Sequence, residues 1–468
     1  DWLVQSRDAD PAQPYLLANQ IAADELRDGS VTGNPEDSLA RLLTEVLPYH
    51  ANIAAKHRLK LVMYEGGTHV VGFGAQMEDG VEPGKDVRIV RLQMRVDMTS
   101  PLTPLDRIRP DVRAMHAYVV QGAEGMLKLD AMENPFGLPP ALQAALGQRL
   151  GSLALNRYPG TRNDDLRTAL ARHAGMPEGH ALILGNGSDE LISLVSLACA
   201  LPPTADGQRP VVLAPVPGFV MYAMSAQLQG LDFVGVPLTP DFELDEAAML
   251  AAIARHRPAI THIAYPNNPT ATLWDAAVVQ RIIDAAATVG GIVVMDEAYQ
   301  PFASRTWIDR MRAEPARNAH VLLMRTLSKF GLAGVRLGYL IGPSAFVSEI
   351  DKVRPPYNVS VLNCEAALFA LEHAEVFAAQ AAEIRAERTT LIAALRQMPG
   401  VEKCWDSEAN MVLIRVADSA KAYEGMKNRK VLVKNVSTMH PLLANCLRLT
   451  VGNAEDNAQM LAALQASL

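Results

Sequence analysis

From about residue 181 the chain alternates short apolar runs with amphipathic helical patterns. ALIL (181–184), PVVLAP (210–215), THIAYP (261–266), GIVVMD (291–296) and HVLLMRT (320–326) read as buried strands. Between them, DEAAMLAAIARH (245–256) and AAVVQRIIDAAATVG (276–290) carry the apolar spacing of helices packed on one face. A strand without a polar face has to be covered on both sides, so this alternation predicts an α/β fold with a mostly parallel sheet between helices. After Pro355 the pattern changes. One long helix is expected over 364–398, then isolated strands MVLIRV (411–416), KVLVK (430–434) and CLRLTV (446–451) and a last helix. That reads as a smaller α+β domain, joined by residues before about 140. The expected organisation is an appended segment 1–97, an N-terminal arm 98–140, a large domain 141–354 and a small domain 355–468.

Open parallel sheets bind ligands at the carboxyl ends of their strands. The reactive residues of this chain fall there repeatedly. ALIL runs into GNGSDELISL, THIAYP into NNPT, GIVVM into Asp296 and EAY, and HVLLMR into TLSK. In GNGSDE, Gly187, Ser188 and Asp189 open a helix, where free backbone N–H groups and the helix dipole favour an anion. Thr326 and Ser328 add hydroxyls and Arg336 a bidentate fork. Lys329 sits among small and apolar residues, and burial beside other cations would lower its pKa toward the neutral, nucleophilic amine. The plain alternatives are a surface lysine on a loop and, for Asp296, a helix N-cap.

Charge and composition exclude several classes. A formal net charge of −8 offers no footprint for nucleic acid or an anionic membrane. No apolar run reaches the roughly 18 residues of a membrane span, and the opening residues lack a secretory leader pattern. Cys199, Cys364, Cys404 and Cys446 are far apart and form no CxxC pair, so no structural metal and a reducing, cytoplasmic setting are expected.

The order GNGSDE, PNNPT, DEAY, TLSK, VRLG, CLRLTVG resembles the fold-type I aminotransferases, in particular the histidinol-phosphate aminotransferase family, over about residues 98–468. The resemblance implies pyridoxal 5'-phosphate as cofactor, carried on Lys329, with Asp296 at its ring nitrogen. It implies that Asn268 and Tyr299 donate to the phenolic oxygen, that Tyr222 stacks on the ring, and that Gly187, Ser188, Asp189, Thr326, Ser328 and Arg336 cradle the phosphate. Tyr158 resembles the tyrosine that reaches the phosphate of the neighbouring subunit, which implies a homodimer with shared active sites. Arg448, Lys434, Asn410, Tyr118 and Asn134 resemble the substrate pocket. The implied reaction exchanges an amino group between L-histidinol phosphate and 2-oxoglutarate, giving imidazole acetol phosphate and glutamate, in histidine biosynthesis.

Three positions depart from the family pattern. The segment between Lys329 and Arg336 holds six residues where the family often has seven. The usual glycine after NNPT is Ala271, which fits only if that residue does not need positive φ. Lys434 stands where many members have arginine, keeping the charge but losing the planar fork. Within the same scaffold the alternatives are an aromatic aminotransferase and a phosphothreonine-type decarboxylase. In a different class stands a transcription regulator with an aminotransferase-like body, which needs a basic helix-turn-helix; residues 1–97 are acidic and show none. Met98 has the look of a natural start. In the segment before it, a helix–strand pattern ending at Glu65 resembles the last units of glycoside-hydrolase barrels and amounts at most to a fragment. Two readings stand for residues 1–97, a fused appendage and a misjoined reading frame.

Overall fold

The computed structural model describes residues 69–70, 90–91, 104–115 and 122–468. Met98, Glu65 and Tyr118 lie outside the described residues. Two compact units are distinguished, 1–116 and 117–468. In the first, β1 (His69–Val70) pairs antiparallel with β2 (Val90–Arg91), and a single helical turn spans Pro110–Arg113.

The second unit begins with β3 (Leu127–Lys128), α1 (Pro140–Gly151) and α2 (Arg162–Ala174). The central run follows as β4 (His180–Gly185), α3 (Ser188–Ala198), β5 (Val211–Val216), α4 (Met221–Gln229), β6 (Asp232–Pro237), α5 (Glu246–His256), β7 (Ile260–Ala264), α6 (Ala276–Thr288), β8 (Ile292–Asp296), α7 (Ile308–Ala313), β9 (Val321–Thr326) and β10 (Gly338–Pro343). Then come α8 (Ser344–Asp351), α9 (Val361–Glu372), α10 (Ala374–Gln397), β11 (Val401–Cys404), β12 (Met411–Val416), α11 (Ser419–Asn428), β13 (Val431–Leu432), β14 (Lys434–Asn435), β15 (Cys446–Thr450) and α12 (Ala454–Gln465).

The seven-stranded sheet has the order β4-β10-β9-β8-β7-β5-β6, and only β10 runs against the rest. The mostly parallel sheet expected from the alternating runs is therefore present. β7 and β9 are buried along their whole length, as strands covered on both faces must be. α6 shows why the helices pack where they do. Val279, Ile282, Ile283 and Ala286 recur at helical spacing and are all buried, and Asp275 caps its first turn by accepting from the Ala277 and Val278 N–H groups.

Two strands of this sheet were not among the expected ones. β6 lies at the sheet edge with a largely solvated pattern, and β10 opens on glycine and closes on proline, which disguises it as loop. The long helix expected over 364–398 is two helices. At His373 the backbone leaves helical geometry (φ −119°, ψ 35°), which ends α9 and starts α10 as a separate helix. α9 is thereby held to α1 and α2 through its buried Glu365, which accepts from both Arg149 and Arg162.

The second sheet, β11-β12-β15-β14, is antiparallel throughout. β3 pairs in parallel with β13, so the segment just before residue 140 packs with these C-terminal strands.

Candidate active site

A cavity of about 340 Å³ opens at the carboxyl ends of β4, β5, β7, β8 and β9. Ten of the residues expected at the cofactor line it together: Ser188, Asp189, Tyr222, Asn268, Asp296, Tyr299, Thr326, Ser328, Lys329 and Arg336. The sheet explains this convergence, because all but Arg336 sit at or past the carboxyl end of a parallel strand, and Arg336 lies just ahead of the reversed β10.

Lys329 follows β9 on a wide helical turn, Ser328–Leu332. That turn requires glycine at 331, which takes φ 134° and where a side chain would collide with Phe377 (2.8 Å) and Asn134 (3.0 Å). The Lys329 Nζ donates to the Ala131 carbonyl at 2.8 Å and lies 5.9 Å from the centre of the Tyr299 ring. Burial, reinforced by the Arg448 cation, pulls its pKa down to about 7.

Asp296 ends β8 and is 5% exposed. Its Oδ2 accepts the Tyr222 hydroxyl at 2.7 Å and its Oδ1 the Ala298 N–H at 3.0 Å. Burial pushes its pKa up to about 6; the two hydrogen bonds oppose the rise, and Asp189 and Glu297 add to it. Tyr299 stays protonated, because burial raises its pKa far more than the nearby Arg448 lowers it.

At the start of α3, Gly187 has φ 82°, and a side chain there would meet the Arg336 guanidinium at 2.7 Å. Arg336 adopts the left-handed conformation (φ 53°, ψ 52°), which brings its fork over the helix N-terminus despite the six-residue segment before it. Thr326 donates to Ser328 at 2.9 Å beside it. The helix end, two hydroxyls and a half-exposed guanidinium form a cradle for a phosphate dianion.

The opposite wall is a strap, residues 129–132, whose four consecutive carbonyls are all taken. Leu129 accepts from the Thr450 N–H (3.2 Å), Asp130 from Arg448 (2.9 Å), Ala131 from Lys329 (2.8 Å) and Met132 from Asn410 (2.9 Å). Arg448 also donates to the Asn268 Oδ1 at 2.7 Å, which ties the second sheet to the cavity. Lys434 on β14 stands directly opposite Arg448 on β15, so the two cations share one face of that sheet.

Other expected residues fall elsewhere. Asn134 donates to Gln380 at 2.9 Å and does not line the cavity. Tyr158 is 75% exposed and stacks on Tyr357 with centroids 4.3 Å apart, outside its own cavity. Tyr222 differs from a stacking lid: its hydroxyl is on Asp296, and one ring face is covered by His262 at 4.3 Å. The aromatic facing the cavity with surface to spare is Phe219, edge-on to Tyr222 at 5.7 Å. Its position just past the end of β5 was the available signal. Glu133 also lines the cavity, held by Lys128 at 2.6 Å.

The expectation for Ala271 is corrected. It has φ 60° and is fully buried, because the turn from Asn267 to Thr272 closes with Ala271 N–H on the Asn267 carbonyl (2.8 Å). A residue with Cβ in that conformation costs about 1–2 kcal/mol, and the turn carries it.

Comparison with known proteins agrees with this geometry. The model of the family described as aminotransferase class I and II matches residues 124–464. The histidinol-phosphate aminotransferase of Paracidovorax citrulli is 79% identical over 364 residues, 78% of this chain and 98% of that protein. The one from Acidovorax sp. (strain JS42) is 79% identical over 374 residues, 79% of this chain and 100% of that protein. Among solved structures, the histidinol-phosphate aminotransferase from Sinorhizobium meliloti in complex with pyridoxal-5'-phosphate superposes with a TM-score of 0.63 at 24% identity, covering 77% of this chain and 96% of that one. A sheet with one reversed strand, a lysine past β9 and an aspartate ending β8 have the same explanation as these matches: the chain belongs to the class I and II aminotransferases.

Proposed function

We propose that the chain transfers the amino group of L-histidinol phosphate to 2-oxoglutarate, giving imidazole acetol phosphate and glutamate, with pyridoxal 5'-phosphate as cofactor. The observation that carries this reading is the 79% identity to histidinol-phosphate aminotransferases over almost their whole length.

The residues present fit the cofactor. Asp296 is a buried carboxylate at a strand end whose neighbouring charges are carboxylates, so a protonated ring nitrogen would supply the cation it lacks. The bare glycine at 187 lets the Arg336 guanidinium close over the start of α3, where free N–H groups would meet a phosphate. Lys329 would hold the aldehyde carbon, Asn268 and Tyr299 the phenolic oxygen, and Phe219 one ring face. Gly187, Ser188, Asp189, Thr326, Ser328 and Arg336 would hold the phosphate. Bound there, the cofactor supplies an electron sink for the Cα–H bond of the substrate and carries the amino group between half-reactions.

The chain supplies the rest. With a pKa near 7, about half of the Lys329 amine is neutral at that pH, so it can take the proton from the substrate Cα and carry it to the carbon on the far side of the amino nitrogen. Asp296 keeps a proton on the ring nitrogen. Arg448 and Lys434 present two cations to the substrate anion, Arg448 serving the phosphate of one substrate and the carboxylate of the other. Asn410 fixes the strap on which Arg448 and Lys329 also lean, and Asn134 supports the turn carrying Lys329. Tyr158, exposed outside its own cavity, would complete the neighbouring subunit's site in a homodimer. In this scheme 141–354 carries the cofactor and 355–468, with the segment before 140, the substrate cations. Among the described residues no helix is long and apolar enough to cross a membrane, and the four cysteines are free, in keeping with a cytoplasmic enzyme.

The reading is tested by steady-state comparison of amino donors. Histidinol phosphate should exceed phenylalanine and tyrosine at least about tenfold in kcat/KM, the worth of one extra charge-assisted contact. A better rate with phenylalanine or tyrosine would replace this reading with an aromatic aminotransferase.

A second expectation concerns the appended segment. The relatives align along 98–100% of their own length with 364–374 residues of this chain, and every proposed site residue lies at or beyond Tyr118. A shortened chain beginning at Met98 should keep kcat and KM within about twofold of the full chain. A large loss of activity or of folded yield would assign residues 1–97 a part in the catalytic unit.

A further inference from the structure

We propose that Tyr222, braced by His262, is a positioning residue that holds Asp296 in place and ionised beneath the cofactor's ring nitrogen. This rests on the cofactor reading above. Tyr222 is 2% exposed and its hydroxyl donates to the Asp296 Oδ2 at 2.7 Å. Apart from it, the carboxylate accepts only the backbone N–H of Ala298 among the described residues.

The phenol ring is held in plane from behind. It lies parallel to the His262 ring, 5° between planes and 4.3 Å between centroids. His262 sits mid-strand on β7, wholly buried, and among the described residues neither ring nitrogen has a hydrogen-bond partner. An aliphatic residue at that strand position would leave no buried polar atom unsatisfied. Burial keeps the imidazole neutral, so it acts on Tyr222 as a flat plate and not as a charge.

The groups around Asp296 show why the hydroxyl matters. Asp189 at the start of α3 and Glu297, next in the chain, both push it toward protonation, as does burial; Tyr299 and His262 bring no charge. Among the described residues, Tyr222 from α4 and the Ala298 N–H are the hydrogen-bond donors that favour the carboxylate. Without the hydroxyl, Asp296 shifts toward its neutral acid, which cannot hold a proton on the ring nitrogen. The stacking role first expected of Tyr222 belongs on this geometry to Phe219.

Tyr222→Phe keeps the ring and its stack on His262 and removes the hydroxyl alone. In the apoprotein, Asp296 with a raised pKa contributes stability at low pH that is lost as pH rises through about 4 to 6. Asp296→Asn should abolish that loss, whereas Tyr222→Phe should extend it to higher pH by about one unit. In the loaded enzyme, Tyr222→Phe should lower kcat about ten- to a hundredfold with KM for histidinol phosphate within about twofold. The pH titration of the cofactor's visible absorbance should move with it. His262→Leu, which keeps the hydroxyl but loosens the plane, should lower kcat about three- to tenfold.

Unchanged kcat, absorbance titration and apoprotein pH profile in Tyr222→Phe would overturn the role of the hydroxyl. An unchanged kcat in His262→Leu would overturn the brace. Failure of the cofactor reading looks different: the wild-type protein itself would then show no visible band and no thermal stabilisation by pyridoxal phosphate.

Discussion

Lys329→Ala is expected to lower kcat for histidinol phosphate by about four orders of magnitude or more, because one change removes both the point of cofactor attachment and the proton-moving base. Borohydride reduction followed by peptide mass analysis should place the cofactor's mass on Lys329 in the wild type and nowhere in the variant. The apoprotein gives a second, independent readout. With the Lys329 pKa lowered to about 7 from 10.5, the unfolded chain binds more protons than the folded one between those values. Stability therefore rises with pH from about 7 to 10.5. Lys329→Ala removes a desolvated cation and should flatten that slope while raising the unfolding temperature at pH 7. A variant with near-wild-type turnover would remove Lys329 from the chemistry altogether.

Arg448→Ala is expected to lower kcat/KM for histidinol phosphate and for 2-oxoglutarate alike, by about a hundred- to a thousandfold. The arginine is 8% exposed and its guanidinium joins Asn268 to the strap carbonyl of Asp130, so its loss both removes a charge and frees the groups it orients. Lys434→Ala should behave differently. Lys434 faces Arg448 across β14 and β15, and no carboxylate pairs with it among the described residues. Two opposed cations repel, and a phosphate dianion relieves that repulsion more fully than a carboxylate does. The variant should lose about ten- to a hundredfold with histidinol phosphate and little with phenylalanine. An unchanged donor preference would place the phosphate elsewhere.

Much of the architecture could be read from local patterns because the local and global signals agree. β4, β5, β7, β8 and β9 are apolar runs ending in Gly, Pro, Asn, Asp or Thr, and the sheet turns those endings into one cavity wall. What escaped depends on contacts distant in sequence. β10 is a strand only because β4 and β9 flank it. The break at His373 is invisible locally, since 364–398 reads as uninterrupted helix. Tyr222 and Phe219 are three residues apart on the same segment, and nothing in the segment says which ring finds Asp296. The positive φ of Ala271 is set by a turn that tolerates a methyl group where glycine would be easier.

The run of carbonyls from Leu129 to Met132 bears on how a ligand enters. Arg448 and Lys329 each spend a donor on a neutral peptide oxygen, at 2.9 and 2.8 Å. The Asp130 oxygen serves as a placeholder that keeps Arg448 aimed before any anion arrives, while the Ala131 oxygen holds the Lys329 amine in place for the aldehyde carbon. An incoming phosphate or carboxylate offers a charged acceptor, whose hydrogen bonds are roughly twice as strong as those to a neutral one. Entry is then an exchange of acceptors on donors already in position, with little left to reorganise at the moment of binding.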